Sequence, residues 1–127
     1  MDAYKTHGAF SWSELMTSDP AAASEFYGTL FGWKLETMDM GQGKYHVVKV
    51  GDTSIGGIMK IPAEAATMPP NWCPYVTVND VDATAKRCTE LGGQVLMPPT
   101  DIPTVGRFAV IRDPQGACLN IITYMQG

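Results

Sequence analysis

Residues 17–33, TSDPAAASEFYGTLFGW, return 61 positions later as residues 78–94, VNDVDATAKRCTELGGQ, with Asp19 over Asp80, Ala22 over Ala83, Leu30 over Leu91 and Gly32 over Gly93. Further along, Asp52 meets Asp113 at the same offset. A fixed period marks a duplicated structural unit. Each copy reads as a helix. Ser18-Asp19-Pro20 sets a capping carboxylate before a proline at the first helical position, and Asn79-Asp80 does similar work in the second copy. Ala23, Phe26, Tyr27 and Leu30, then Val81, Ala85, Cys88 and Leu91, recur at spacings of mostly three and four, which gives each helix one apolar face. Both stop at glycine, Gly32 and Gly92-Gly93, where a left-handed residue costs least.

Outward from the helices the pattern changes to strands. One alternating run precedes each helix, Ala9 to Met16 and Pro74 to Val78. Three short runs follow each. In the first half they are Trp33 to Thr37, Tyr45 to Val50 and Ser54 to Ile61; in the second, Gln94 to Met97, Arg107 to Arg112 and Cys118 to Tyr124. Glycine and proline turns separate them, among them Asp113-Pro114-Gln115-Gly116. The stretch from Pro98 to Gly106 is long for such a chain and reads as a loop and candidate lid. The order is βαβββ twice, so the predicted class is α+β: module one over about residues 8–61, a linker over 62–73, and module two over about 74–125.

Composition bounds the chemistry. A chain of 127 residues with 45% hydrophobic residues buries enough surface to need no metal or disulfide for its core. Nine basic residues against thirteen acidic, a net charge of −4 and no cluster of Lys or Arg leave phosphate backbones unmatched, so nucleic acid is not an expected partner. No run approaches the ~18 apolar residues of a membrane span. The first eight residues carry Asp2, Lys5 and His7 with no apolar stretch behind them, which does not fit a signal peptide; a cytoplasmic protein is expected. Three scattered cysteines fit reduced thiols, and two histidines without a Cys-x-x-Cys pair leave little for a structural zinc site.

The chain resembles the vicinal oxygen chelate superfamily, which includes glyoxalase I, extradiol dioxygenases, fosfomycin-resistance enzymes and bleomycin-binding proteins. The resemblance runs from about Phe10 to Tyr124. It rests on Asp19-Pro20, Phe26-Tyr27-Gly28 and Phe31-Gly32-Trp33 in the first half. In the second it rests on Val78-Asn79-Asp80-Val81, Leu91-Gly92-Gly93, Gly106-Arg107-Phe108 and Asp113-Pro114-Gln115-Gly116. It implies two tandem βαβββ modules forming a curled mixed sheet cup, often completed by a homodimer. In metal-dependent members, it further implies, a divalent ion is held by ligands on the first and last strands of each module.

Those positions can be read off this chain. The first-strand position falls on Trp12 and its repeat mate on Cys73, while the last-strand position of module two falls on Asn120. Its counterpart in module one is Met59 or Gly57, depending on how the turn at Asp52-Thr53 is aligned. Indole, thiol, amide and thioether replace the imidazole and carboxylate of the family's metal sites, a poor set for a hard or borderline ion. No metal and no other cofactor is expected.

Strand alternation then places Glu14 and its repeat mate Tyr75 on the same face as Trp12 and Cys73. A carboxylate in an otherwise apolar strand is partly desolvated, so its pKa is expected to rise and it becomes a candidate general acid or base with Tyr75; a purely structural carboxylate is the alternative. His46 and Arg107, equivalent at the 61-residue offset, are candidate ligand contacts whose facing the sequence leaves open. Trp12, Met59, Cys73 and Asn120 complete the expected ligand-binding set, and His7 is expected at a flexible terminus without a role. The leading expectation is a metal-independent binder of an apolar or mixed small molecule in a cup completed by dimerisation. The alternatives are a metal-free lyase or isomerase using Glu14, a metal-dependent glyoxalase- or dioxygenase-like enzyme, and an interaction module without a small ligand.

Overall fold

Eight strands and two helices appear in the computed structural model, which describes residues 1–39, 43–62, 69–102 and 105–125. In chain order these are β1 (Phe10–Thr17), α1 (Pro20–Phe31), β2 (Lys34–Asp39), β3 (Lys44–Val50), β4 (Thr53–Lys60), β5 (Asn71–Thr77), α2 (Val81–Glu90), β6 (Gln94–Ile102), β7 (Gly106–Arg112) and β8 (Cys118–Tyr124). The βαβββ order therefore occurs twice. The expected helix signals operate as chemistry requires. Asp19 accepts a hydrogen bond from the Ala22 amide at 3.1 Å, and Asp80 accepts one from Ala83 at 3.1 Å. Gly32 closes α1 with φ of 73°, and Gly92 follows α2 with φ of 93°.

The chain divides into two compact units, Trp12–Cys73 and Met1–Ser11 with Pro74–Gly127. In the first, the strand order is β2-β3-β4-β1, with β1 parallel to β4 and the other pairs antiparallel. Helix α1 covers one face: Leu15, Val48 and Ile58 are buried there, with Ala23, Tyr27, Trp33 and Leu35 packed against them. In the second, the order is β5-β8-β7-β6, again with one parallel pair, β5 and β8. Val78, Val81, Ala85, Ala109 and Ile121 form its core beside α2. Each fully buried aliphatic side chain contributes about 1.5–3 kcal/mol. In each unit a helix covers one face of its four strands, and all eight strands belong to one mixed sheet.

Three expectations need correction. The apolar stripe of α1 is wider than its contact with the sheet, so Phe26 and Leu30 lie 60% and 57% exposed, and Leu91 beyond α2 is equally outward. The stretch from Pro98 to Gly106 is not a lid loop. Residues 98–102 continue β6, pairing Thr100 with Phe108, Asp101 with Arg107 and Ile102 with Gly106; Pro103 and Thr104 lie outside the described residues. Prolines fit there because β6 ends the strand order and the register shifts on either side of Met97. Third, the N-terminus is tied down. The Gly8 amide bonds to Thr77 at 2.7 Å, Thr77 Oγ1 donates to the Ala3 carbonyl, and the Asn79 amide donates to His7 Nδ1 at 2.9 Å.

Candidate functional site

Side-chain parity fixes which residues share a face. Glu14 is paired with Gly57 and Met16 with Met59, while Gly57 is also paired with Val47. Because strand side chains alternate, Trp12, Glu14, Met16, Tyr45, Val47, Gly57 and Met59 stand on the face opposite α1. Leu15, Ile58, Val48 and His46 stand on the helix side.

On the open face, Glu14 is only 6% exposed, a buried carboxylate in an aromatic and thioether setting. The Tyr45 hydroxyl donates to Glu14 Oε2 at 2.8 Å, and the Trp12 indole N–H donates to the Tyr45 oxygen at 3.1 Å. A buried charge is tolerated only when hydrogen-bonded in this way. Gly57 provides the space: a Cβ added there would overlap the Tyr45 hydroxyl and ring. Tyr45 was not singled out from the sequence. Its one trace there is the Gly56-Gly57 pair inside a strand, which signals that something bulky comes close.

The register also settles the position left open between Met59 and Gly57. Glu14 faces Gly57 and Tyr75 faces Asn120, so Gly57 is the counterpart of Asn120, at an offset of 63 rather than 61. The two extra residues enter before β7, because Val47 and Val110 hold equivalent pairings as well. His46 therefore corresponds to Ala109, and His46 and Arg107 are not repeat mates.

Neither of those two residues lies on the open face of its sheet. His46 Nδ1 is hydrogen-bonded with Thr37 Oγ1 at 2.9 Å on the helix side. Arg107 shares the face of Ala109 and binds Asp82 through Nε and Nη2, at 2.8 and 3.0 Å, and Asp101 through Nη1 at 3.0 Å. The hydrogen bonds that Arg107 donates to Asp82, then to Asp101, hold the guanidinium above its ordinary range, and Arg107 in turn holds the Asp82 carboxyl below its own. In β5, Tyr75 is buried, with its ring 6.5 Å from that of Phe108. Asn120 is buried on the same face, and Cys73 is a half-buried thiol outside any disulfide.

For a divalent ion the donor set does not fit. Glycine, indole and a neutral amide occupy three of the four implied ligand positions, and among the described residues no three His, Cys, Asp or Glu side chains gather. What the open face of the first unit offers is a fixed carboxylate beside a phenol and an indole, walled by methionines. No helix among the described residues is long and apolar enough to cross a membrane.

Comparison with known proteins agrees with this architecture. Residues 9–121 match the model of the Glyoxalase/Bleomycin resistance protein/Dioxygenase superfamily. The chain is 42% identical over 116 residues to a Mycobacterium tuberculosis protein described as "Putative glyoxylase CFP32", an alignment covering 91% of this chain and 44% of that one. It is 32% identical over 127 residues to the anthracycline biosynthesis protein DnrV of Streptomyces peucetius, covering 90% and 46%. The chain thus spans less than half the length of these relatives. Among solved structures, methylmalonyl-CoA epimerase of Streptomyces coelicolor superposes with a TM-score of 0.72 at 18% identity, covering 94% of this chain and 96% of that one. A hypothetical protein, BH1468 from Bacillus halodurans, reaches 0.75 at 11% identity, covering 96% and 98%. By sequence and by fold alike, the chain belongs to the Glyoxalase/Bleomycin resistance protein/Dioxygenase superfamily.

Proposed function

We propose that this domain binds a small organic molecule without a resident metal ion, on the face that carries Trp12, Glu14, Tyr45 and Met59, in a cavity completed by a second copy of the chain. The observation that carries the reading is Glu14: a carboxylate 6% exposed and held at 2.8 Å by a phenol, within an apolar wall. Ligand sites are built this way, from apolar surface and a few fixed polar groups. The relatives described as a glyoxylase and as an anthracycline biosynthesis protein support a small organic ligand. Pairing with a second copy is supported by relatives about twice this length. Cytoplasmic residence is part of the same proposal.

Glu14 also favours a second reading, a metal-free lyase or isomerase in which it transfers a proton. Arg107 has no part in this reading, because its guanidinium is engaged by Asp82 and Asp101 on the helix side. A thermal-shift screen of metabolites and cationic antibiotics, with metal analysis on the same samples, tests the proposal. A ligand at a hundred times its Kd adds about 2.7 kcal/mol of stability. Hits in metal-free protein are expected, with the shift reduced in Glu14→Gln. About one equivalent of tightly held divalent ion would overturn the metal-free reading. Turnover of a hit that disappears in Glu14→Gln while its affinity remains would select the enzyme.

A further inference from the structure

We infer that Tyr45 is a positioning residue that fixes Glu14 as an ionised carboxylate, so that Glu14 accepts hydrogen bonds or protons from a ligand and does not donate them. The inference rests on the reading of Glu14 as the ligand-facing group. Its first support is direction. An indole N–H can only donate, and it donates into the Tyr45 oxygen; the single phenolic proton then goes to Glu14 Oε2. Both donors run toward the carboxylate. Hydrogen bonds to the charged form favour that form, and each donor in a chain polarises the next. Of the side chains sharing Glu14's face on β1, β3 and β4, Trp12, Met16, Tyr45, Val47, Gly57 and Met59 are uncharged, and Lys49 of β3 is paired with Glu36 at 2.7 Å. The relay delivers its hydrogen bond directly to the carboxylate oxygen.

The second support is the internal repeat. Glu14 corresponds to Tyr75 at the offset of 61, and beyond the insertion, at 63, Tyr45 corresponds to Phe108 and Gly57 to Asn120. Where the repeat lacks the carboxylate it also lacks the hydroxyl, and the glycine that makes room for that hydroxyl is replaced by a residue with a side chain. The ring position is kept in both halves; the hydroxyl and its clearance appear only beside the acid. A packing tyrosine would not require that coincidence.

The test needs no ligand, so its failure is separate from failure of the binding proposal. In the isotope-labelled full chain, the Trp12 indole resonance is identified with Trp12→Phe and the Glu14 side-chain carboxyl carbon with Glu14→Gln. At neutral pH the wild-type carboxyl carbon is expected at the ionised position. Tyr45→Phe is expected to move it toward the protonated position and to move the Trp12 indole proton upfield, with faster solvent exchange. Gly57→Ala, which keeps the tyrosine but displaces its hydroxyl, is expected to produce the same pair of changes. Should Tyr45→Phe not fold, Gly57→Ala and the wild-type carboxyl position decide. A wild-type carboxyl at the protonated position, or both resonances unmoved in a folded variant, overturns the inference.

Discussion

Replacing Gly57 with alanine adds one methyl group to a strand, a change that is ordinarily mild. Here the new Cβ would overlap the Tyr45 hydroxyl and ring, so the phenol must leave. Gly57 is not among the glycines with positive φ, so the cost is not backbone strain. Forcing a large side chain out of a packed position costs about 1–3 kcal/mol. Losing the 2.8 Å hydrogen bond to a buried carboxylate costs about 1.5–3 kcal/mol more. Lower unfolded-state entropy returns up to about 1 kcal/mol. The net expectation is a loss of about 2–5 kcal/mol, a large part of the ~5–15 kcal/mol that holds a domain together. In urea, at a mid-range slope of about 2 kcal/mol per M, the midpoint falls by about 1–2.5 M. The same substitution in a Tyr45→Ala background should be neutral or slightly stabilising, because nothing is left to displace. An equal loss in both backgrounds, or a loss below about 0.5 kcal/mol in the wild type, would refute the fit between Gly57 and Tyr45.

Two further outcomes follow from groups outside the site. Burial pushes the Tyr124 phenol up to about 12, partly offset by its 2.7 Å hydrogen bond with Ser11. Since the folded state favours the neutral phenol, this contribution to stability is complete below the ordinary tyrosine range near 10 and is lost as pH rises through about 12. Tyr124→Phe should flatten that alkaline decline, and should remove one late-titrating phenolate from the ultraviolet titration. Arg107→Gln should let the Asp82 carboxyl titrate upward toward the usual carboxylate range, as carbon-detected NMR would show, while every ligand shift from the thermal screen stays in place. A lost ligand shift in that variant would return Arg107 to the binding site.

The fold was legible because its signals are local. Asp19-Pro20, Asp80 and the glycines after each helix act within a turn of themselves, and the structure uses them as caps and stops. Register was less legible, since two residues inserted ahead of β7 change the offset from 61 to 63 without any motif to mark the step. That slip is why the 61-residue offset matches His46 with Arg107; because it is two residues long it leaves parity unchanged, and the pairings of each strand put both on the helix side. The prolines at 98 and 99 read as a loop because a sequence does not say which strand lies at the end of the order, where a missing amide is harmless. His7 shows the same limit: the bond from the Asn79 amide joins residues 72 apart. Glu14 could be chosen from one strand alone, as a carboxylate among apolar neighbours. Tyr45 could not, because its importance comes from β1 and β4 together.

The central claim is a metal-free ligand site built on Glu14 and Tyr45. Its most direct measurement is nitrogen–proton NMR of the protein in excess chelator, titrated with the strongest hit of the thermal screen. The account predicts that the Trp12 indole resonance and the amides of β1, β3 and β4 move with the hit under chelation, and that Glu14→Gln weakens the titration. Movement that appears only when a divalent ion is restored, or that centres on residues away from this face, would contradict it.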